Sequence, residues 1–134
     1  MAELSDAIIF LGTAGARFVV ARQFLASGGA WLSLGNTQIL LDPGPGSLVQ
    51  AARRKLDATK LDAIILSHKH LDHSGDINIM IEAMTDGGTK KRGTVFAPAD
   101  ALTQDPVIFS YLQSYPQNIP VSYTHLTLPT TPYV

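Results

Sequence analysis

The sequence predicts an α+β fold, and three of its features carry that prediction. Short apolar runs recur along the chain, and each stops at Gly, Pro or Asp, as strands ending in turns do. Two of these runs, Ala30 to Leu34 and Gln38 to Asp42, flank Gly35-Asn36-Thr37, the turn chemistry of a β-hairpin. Elsewhere the apolar spacing switches to a helical period: Ile77, Met80, Ile81 and Met84 fall at i, i+3, i+4 and i+7.

Taken in order, the run from Ile8 to Leu11 ends at Gly12 and reads as a buried strand entering a tight turn. The hairpin follows, and Asp42-Pro43-Gly44-Pro45-Gly46 stops its second strand. Ser47 is placed to N-cap a helix through Leu48, Val49, Ala52 and Leu56. Leu61 to Ser67 is apolar at nearly every position and is expected to be a strand buried on both faces. Asp76 to Met84 is the helix already noted, and Gly93 to Pro98 is a further strand. Asp105-Pro106 supplies the cap and first position of a helix reaching Tyr111 or Leu112. At 134 residues the chain is long enough for one domain with its own core.

Composition narrows the function classes. A chain with 46% hydrophobic and 16% charged residues is globular, not disordered or fibrous. The net charge of −1 gives no clear nucleic-acid patch and no footprint for an anionic membrane, and Lys90-Lys91-Arg92 reads as a solvated loop. Without cysteine, disulfides and thiolate zinc sites are excluded. Glu3 and Asp6 stand where a signal peptide carries positive charge, and no stretch approaches about 20 apolar residues. The expectation is a cytoplasmic protein with no membrane partner.

The end of the chain differs from the rest. From Pro106 to Val134 there is no Asp, Glu, Lys or Arg, all 21 of them lying in the first 105 residues. Residues 116–134 are therefore set apart, as an uncharged Thr- and Pro-rich tail, from a domain over residues 1–115. Within that tail "SYTHLTLPT" resembles translated adaptor sequence found at the ends of reading frames assembled from short reads. The terminal residues 121–134 are thus expected to be foreign to the protein; the plainer alternative is an extended β tail.

Three of the four histidines fall in "ILSHKHLDHS", residues 65–74. In an extended stretch His68 and His70, two apart, point to the same side and can reach one ion. Asp72 shares that parity while His73 points elsewhere, which suits two neighbouring ions. The loop leaves the end of a predicted strand, a rigid support for ligands. Imidazole and carboxylate without thiolate suit zinc, iron and manganese. A lone histidine would read as a solvated surface residue, but three with an aspartate directly after a strand point to a metal site.

These residues, as "SHKHLDHSGD", resemble the H-x-H-x-D-H signature of the metallo-β-lactamase-fold hydrolases, and the likeness extends to "FLGTAGA" and "LLDPGPG". The resemblance covers roughly the first 105 residues. It implies the N-terminal half of a four-layer αβ/βα metallo-β-lactamase-type sandwich, truncated. It implies two divalent ions, zinc with manganese or iron as alternatives. His68 and His70 would hold the first, Asp72 and His73 the second, with Asp42 beside them and Ser67 and Gly75 shaping the loop. Diiron flavoproteins of this fold have glutamate where this chain has His70, and true β-lactamases typically lack a histidine at the position of His73. The pattern is closer to the phosphodiesterase, tRNA-processing nuclease, glyoxalase and lactonase branches, and "FLGT" with "GARFVVARQ" looks most like the ribonuclease Z and phosphodiesterase side.

The activity so implied is metal-dependent hydrolysis by a metal-bound hydroxide, with Asp72 as the catalytic group that orients it. The substrate would be a phosphodiester or related ester, small-molecule or nucleotide-type. A mononuclear iron oxygenase of the same fold and a catalytically inert fragment are the alternatives, and a homo-oligomer is left open. Two ions sharing a hydroxide need about six or seven protein groups; the loop supplies four. His125 is the only later histidine and lies in the tail, while Asp100 and Asp105 look like turn and cap residues. The chain is therefore expected to be an incomplete fragment, inactive alone, exposing the sheet face against which a second half would pack.

Overall fold

The computed structural model describes residues 6–14, 17–23 and 25–121; of the terminal stretch expected to be foreign, all but Val121, His125 included, lies outside them. Six strands form one sheet in sequential order: β1 (Ala7–Phe10), β2 (Ala30–Leu34), β3 (Thr37–Leu41), β4 (Ala63–Ile65), β5 (Thr94–Pro98) and β6 (Gln117–Val121). The first three pair antiparallel, the β2–β3 hairpin turning at Gly35 with φ of 60°, a conformation that costs glycine little. From β3 onward every pairing is parallel. Parallel neighbours need crossovers, and these carry α2 (Ser47–Arg53), then α3 (Leu71–Ser74) and α4 (Ile77–Met84), then α5 (Ala99–Leu102). Such connections are right-handed, so three steps in one direction stack the helices on one face of the sheet. A short α1 (Arg17–Arg22) precedes the hairpin and packs against α3.

The two faces of the sheet differ accordingly. Ile9, Trp31, Leu40, Ile64 and Val95 align across five strands, and the last four are fully or almost fully buried against Ile77, Met80, Ile81 and Met84 of α4 and their neighbours. Trp31 keeps its indole N–H satisfied by donating to Gln38 Oε1 at 2.8 Å. The opposite row, Phe10, Ala30, Leu41, Ile65, Phe96 and Ile119, carries no charge and is only partly covered. On that face Ile8 is 60% and Phe10 63% exposed. The expected burial of residues 61–67 on both faces is thus corrected: Ile64 is enclosed, whereas Ala63 and Ile65 are half-buried because no helix lies over their side.

Three further expectations are corrected. Gly46, at φ of 85°, occupies the cap position of α2, and Ser47 lies inside the helix with its hydroxyl buried and unpartnered. The capping acceptor comes from a distant residue: the Asp76 carboxylate takes the Leu48 N–H at 3.1 Å. The helix expected from Asp105 does not form. Asn78 instead donates to the Val107 carbonyl at 2.8 Å and accepts the Phe109 N–H at 2.9 Å, holding that segment open, and only a 3-10 turn follows at Ser110–Leu112. Finally, β6 lies beyond residue 115, so the sheet continues into the segment set apart as tail.

Asp57 illustrates a local electrostatic contribution. It caps the 3-10 turn Ala58–Lys60, accepting from the Thr59 hydroxyl at 2.6 Å and the Thr59 N–H at 3.0 Å. These bonds, with the nearby Lys60, hold its carboxyl below the ordinary aspartate value of 3.8. A depressed folded pKa contributes stability above the unfolded value and loses it as pH falls through the folded one. An Asp57→Asn chain is accordingly expected to show a flatter loss of stability below about pH 4 than the parent, read from urea midpoints between pH 5 and 2.5.

Candidate metal centre

The candidate centre sits at the C-terminal end of β4, where the strand hands over to the His-rich turn. His68 and His70 lie in extended chain, but alternation ends there: Leu71 begins the single helical turn α3, which carries Asp72 and His73. The expectation that His73 points away is corrected. The turn swings its ring to 4.2 Å from that of His68, closer than the 4.8 Å between His68 and His70.

Asp42 holds this turn from below. It follows β3 with φ of 51°, a left-handed conformation that Asp tolerates better than most side chains. One carboxylate oxygen accepts the Ser67 N–H at 2.6 Å; the other accepts the Ser67 hydroxyl at 2.6 Å and lies 3.1 Å from His73 Nδ1. The Ser67 hydroxyl is also 2.9 Å from His68 Nδ1. One buried-edge carboxylate therefore sets the backbone entry to the turn and the Nδ1 side of two imidazoles, leaving their Nε2 atoms for other partners. His73 Nε2 is 3.5 Å from Asp72 Oδ2. Gly44 allows the close approach that this needs, because a Cβ there would stand 2.4 Å from the Asp72 carbonyl oxygen.

Electrostatics favour the neutral form of the His68 imidazole. The pKa of His68 is lowered first by burial, then by the neighbouring His73 and His70 rings, against the opposing pull of Asp42 and Asp72. Neutral imidazole is the form that binds a metal. The donor set, three imidazoles and a carboxylate within one turn, fits a borderline divalent cation. A ready-made cage is not present: among the described residues no three such side chains converge on a single point able to hold an ion. Lys69, between the first two histidines, extends instead towards Asp105, 3.9 Å away, and Asp100 lies in α5.

A pocket of 240 Å³ opens beside Asp42, Asp72 and His73, walled by Gly12-Thr13-Ala14 and Gly28-Gly29-Ala30. The sequence reading used Gly12 as a turn, "FLGTAGA" as part of the family likeness and Ala30 as a strand start, but proposed none of these wall residues for the site. The available signal was the glycines of "FLGTAGA" and "SGGA", which let two backbone segments lie side by side: the Leu11 N–H donates to the Gly29 carbonyl at 2.8 Å.

A mixed sheet whose fourth strand ends in this turn defines a protein of the metallo-β-lactamase fold. The crystal structure of the metallo-β-lactamase fold protein YhfI from Bacillus subtilis superposes with a TM-score of 0.59 at 24% identity, over 86% of this chain and 45% of that one. The profile of the β-lactamase superfamily domain matches residues 37–131, and the chain belongs to that family. It is 34% identical over 120 residues to an uncharacterized protein of Methanocaldococcus jannaschii, covering 87% of this chain and 45% of the relative. It is 29% identical over 94 residues to a ribonuclease Z of Kineococcus radiotolerans, covering 70% and 29%. The chain thus spans less than half the length of these relatives. No helix among the described residues is long and apolar enough to cross a membrane.

Proposed function

We propose that residues 68–73 are the metal-binding part of a hydrolytic site for phosphodiester or related ester substrates, completed by ligands from polypeptide outside these 134 residues. The observation that carries this reading is the turn itself: His68, His70, Asp72 and His73 gathered at a strand end, with two of the imidazoles oriented through Asp42. The likeness to a ribonuclease Z supports the phosphodiester class. The short span of the chain and the half-covered apolar sheet face support the need for further polypeptide.

His68, His70 and His73 would hold divalent cations through neutral nitrogen, zinc with manganese or iron as alternatives, and Asp72 would hold a cation through its carboxylate. When bound, the cations supply activated water and neutralise charge at the ester oxygens. Asp72 would accept a hydrogen bond from the water and so set its direction. The pocket walled by Gly12–Ala14 and Gly28–Ala30 would hold the ester beside it. Bringing the donors together takes rotation of the exposed His70 ring, a motion open to a surface side chain, and of the half-buried Asp72 carboxylate at the pocket edge.

The test is metal uptake with and without one donor. Competition against a zinc indicator is expected to show at least tenfold weaker zinc binding by His70→Ala than by the parent chain, with unchanged urea unfolding. Equal zinc affinity would remove His70 from the ligand set. Hydrolysis of bis(p-nitrophenyl) phosphate by the 134-residue chain alone, at rates matching a full-length relative, would overturn the requirement for outside ligands.

A further inference from the structure

Folding segregates charge in a way that the net value conceals. Of ten Lys and Arg residues, seven come from the segments that precede β4 and β5. They are Arg53-Arg54-Lys55 at the end of α2, Lys60 in the 3-10 turn, and Lys90-Lys91-Arg92 before β5. Parallel strands share one direction, so both segments lie at the N-terminal end of the sheet, opposite the His-rich turn. The carboxylates at this end are Asp57, Asp62, Asp86, Glu82 in the last turn of α4, and Asp6, which accepts the N–H of Gly35 in the hairpin turn, giving seven cations against five anions. The rest of the chain holds three cations and six carboxylates. The uncharged residues 122–134 contribute nothing to either balance.

The basic end is also built into a pocket. Thr59, Lys60, Asp86, Lys90 and Arg92 line a cavity of 230 Å³, room for a phosphate group with its water. Arg92 fixes its wall: one guanidinium nitrogen donates to the Thr59 carbonyl at 2.9 Å and the Met84 carbonyl at 2.7 Å, and the other stands 3.8 Å from Asp62. Lys60 and Lys90 keep exposed ammonium groups. Lys90 pairs with Asp86 at 3.5 Å, an exposed pair of the kind worth little and readily exchanged for a phosphate.

We infer that this basic end docks the phosphate backbone of a nucleic acid strand, with one phosphate seated among Lys60, Lys90 and Arg92. The inference rests on the phosphodiester reading for its choice of polyanion. From Lys60 to His68 the chain runs eight residues, about 26 Å at strand spacing. A strand held at this end and reaching the metal centre would span about eight nucleotides at 3.4 Å each. The acidic remainder of the surface repels the same backbone elsewhere and so gives the docking a direction.

The probe is a fluorescent 20-nucleotide single-stranded RNA, titrated with the 134-residue chain in EDTA so that the metal centre takes no part. Anisotropy is expected to report binding at 50 mM salt that weakens with a log–log slope of about −3, as four neutralised phosphates give at roughly −0.7 each. Lys60→Gln with Lys90→Gln should lower affinity about tenfold and flatten the slope by about 1.4. The charge-matched control Arg22→Glu, far from this end, should shift affinity less than twofold. Absence of binding at 50 mM salt, an equal loss in the control, or attachment to phosphatidylserine vesicles but not to RNA would overturn the inference. Because no hydrolysis is read, failure here leaves the metal-centre assignment standing, and failure of zinc binding leaves this result standing.

Discussion

Asp42→Ala is expected to destabilise the chain by about 3 kcal/mol, because three groups lose their partner together. The Ser67 N–H and hydroxyl, at 2.6 Å each, and the His73 ring at 3.1 Å all meet this one carboxylate. Each part-buried donor left unsatisfied costs about 1–3 kcal/mol, and alanine tolerates the left-handed backbone at 51° less well than aspartate. The same change should weaken zinc binding by about 10–100-fold, the range seen when a group behind a metal ligand is removed. Asp42→Asn keeps one acceptor and the backbone preference, so it should recover part of both losses. Urea unfolding and zinc competition on the three chains decide the matter; an Asp42→Ala midpoint equal to the parent's would dismiss the carboxylate as the anchor of the turn.

Ile64→Ala should cost about 2–5 kcal/mol, a large part of the stability of a domain this size. Ile64 is fully enclosed between Leu40 and Val95 and under the helices, so its removal leaves a cavity. The adjacent Ile65→Ala should cost well under half of that, since its side chain lies on the partly covered face. Equal urea midpoints for the two variants would mean that the two faces of the sheet are equally enclosed, contrary to the asymmetry described here.

The sequence was most informative where a signal is local. The hairpin at Gly35 and the α4 periodicity each need only a few neighbouring residues, and both were placed within a residue or two. The family resemblance was likewise legible from one turn and two flanking motifs. What could not be read depended on distant partners. Asp105-Pro106 carries a sound helix-start signal, yet Asn78, almost thirty residues earlier, takes the backbone groups that the helix needed. Ser47 looks like a cap until Asp76 arrives from another crossover to do that job. The sixth strand was hidden by the polar Gln117 and Asn118 and by Pro120, a residue that sheets accept at an edge strand. At the centre itself the ligand types were readable, but not the turn of helix at Leu71 that puts His73 beside His68.

The strictly sequential strand order has a consequence for synthesis. Each strand pairs with the one immediately before it in the chain, from the first to the sixth, so each new strand emerges beside an edge already made. Growth of this kind keeps paired segments close in sequence, which favours fast folding, and it can proceed from the N-terminus while the ribosome is still at work. It also means that the row from Phe10 to Ile119 is assembled, one strand at a time, as a widening uncharged surface open to solvent. Slow or interrupted translation would prolong that exposure, and nascent chains stalled after the fifth strand are the ones a chaperone should hold longest.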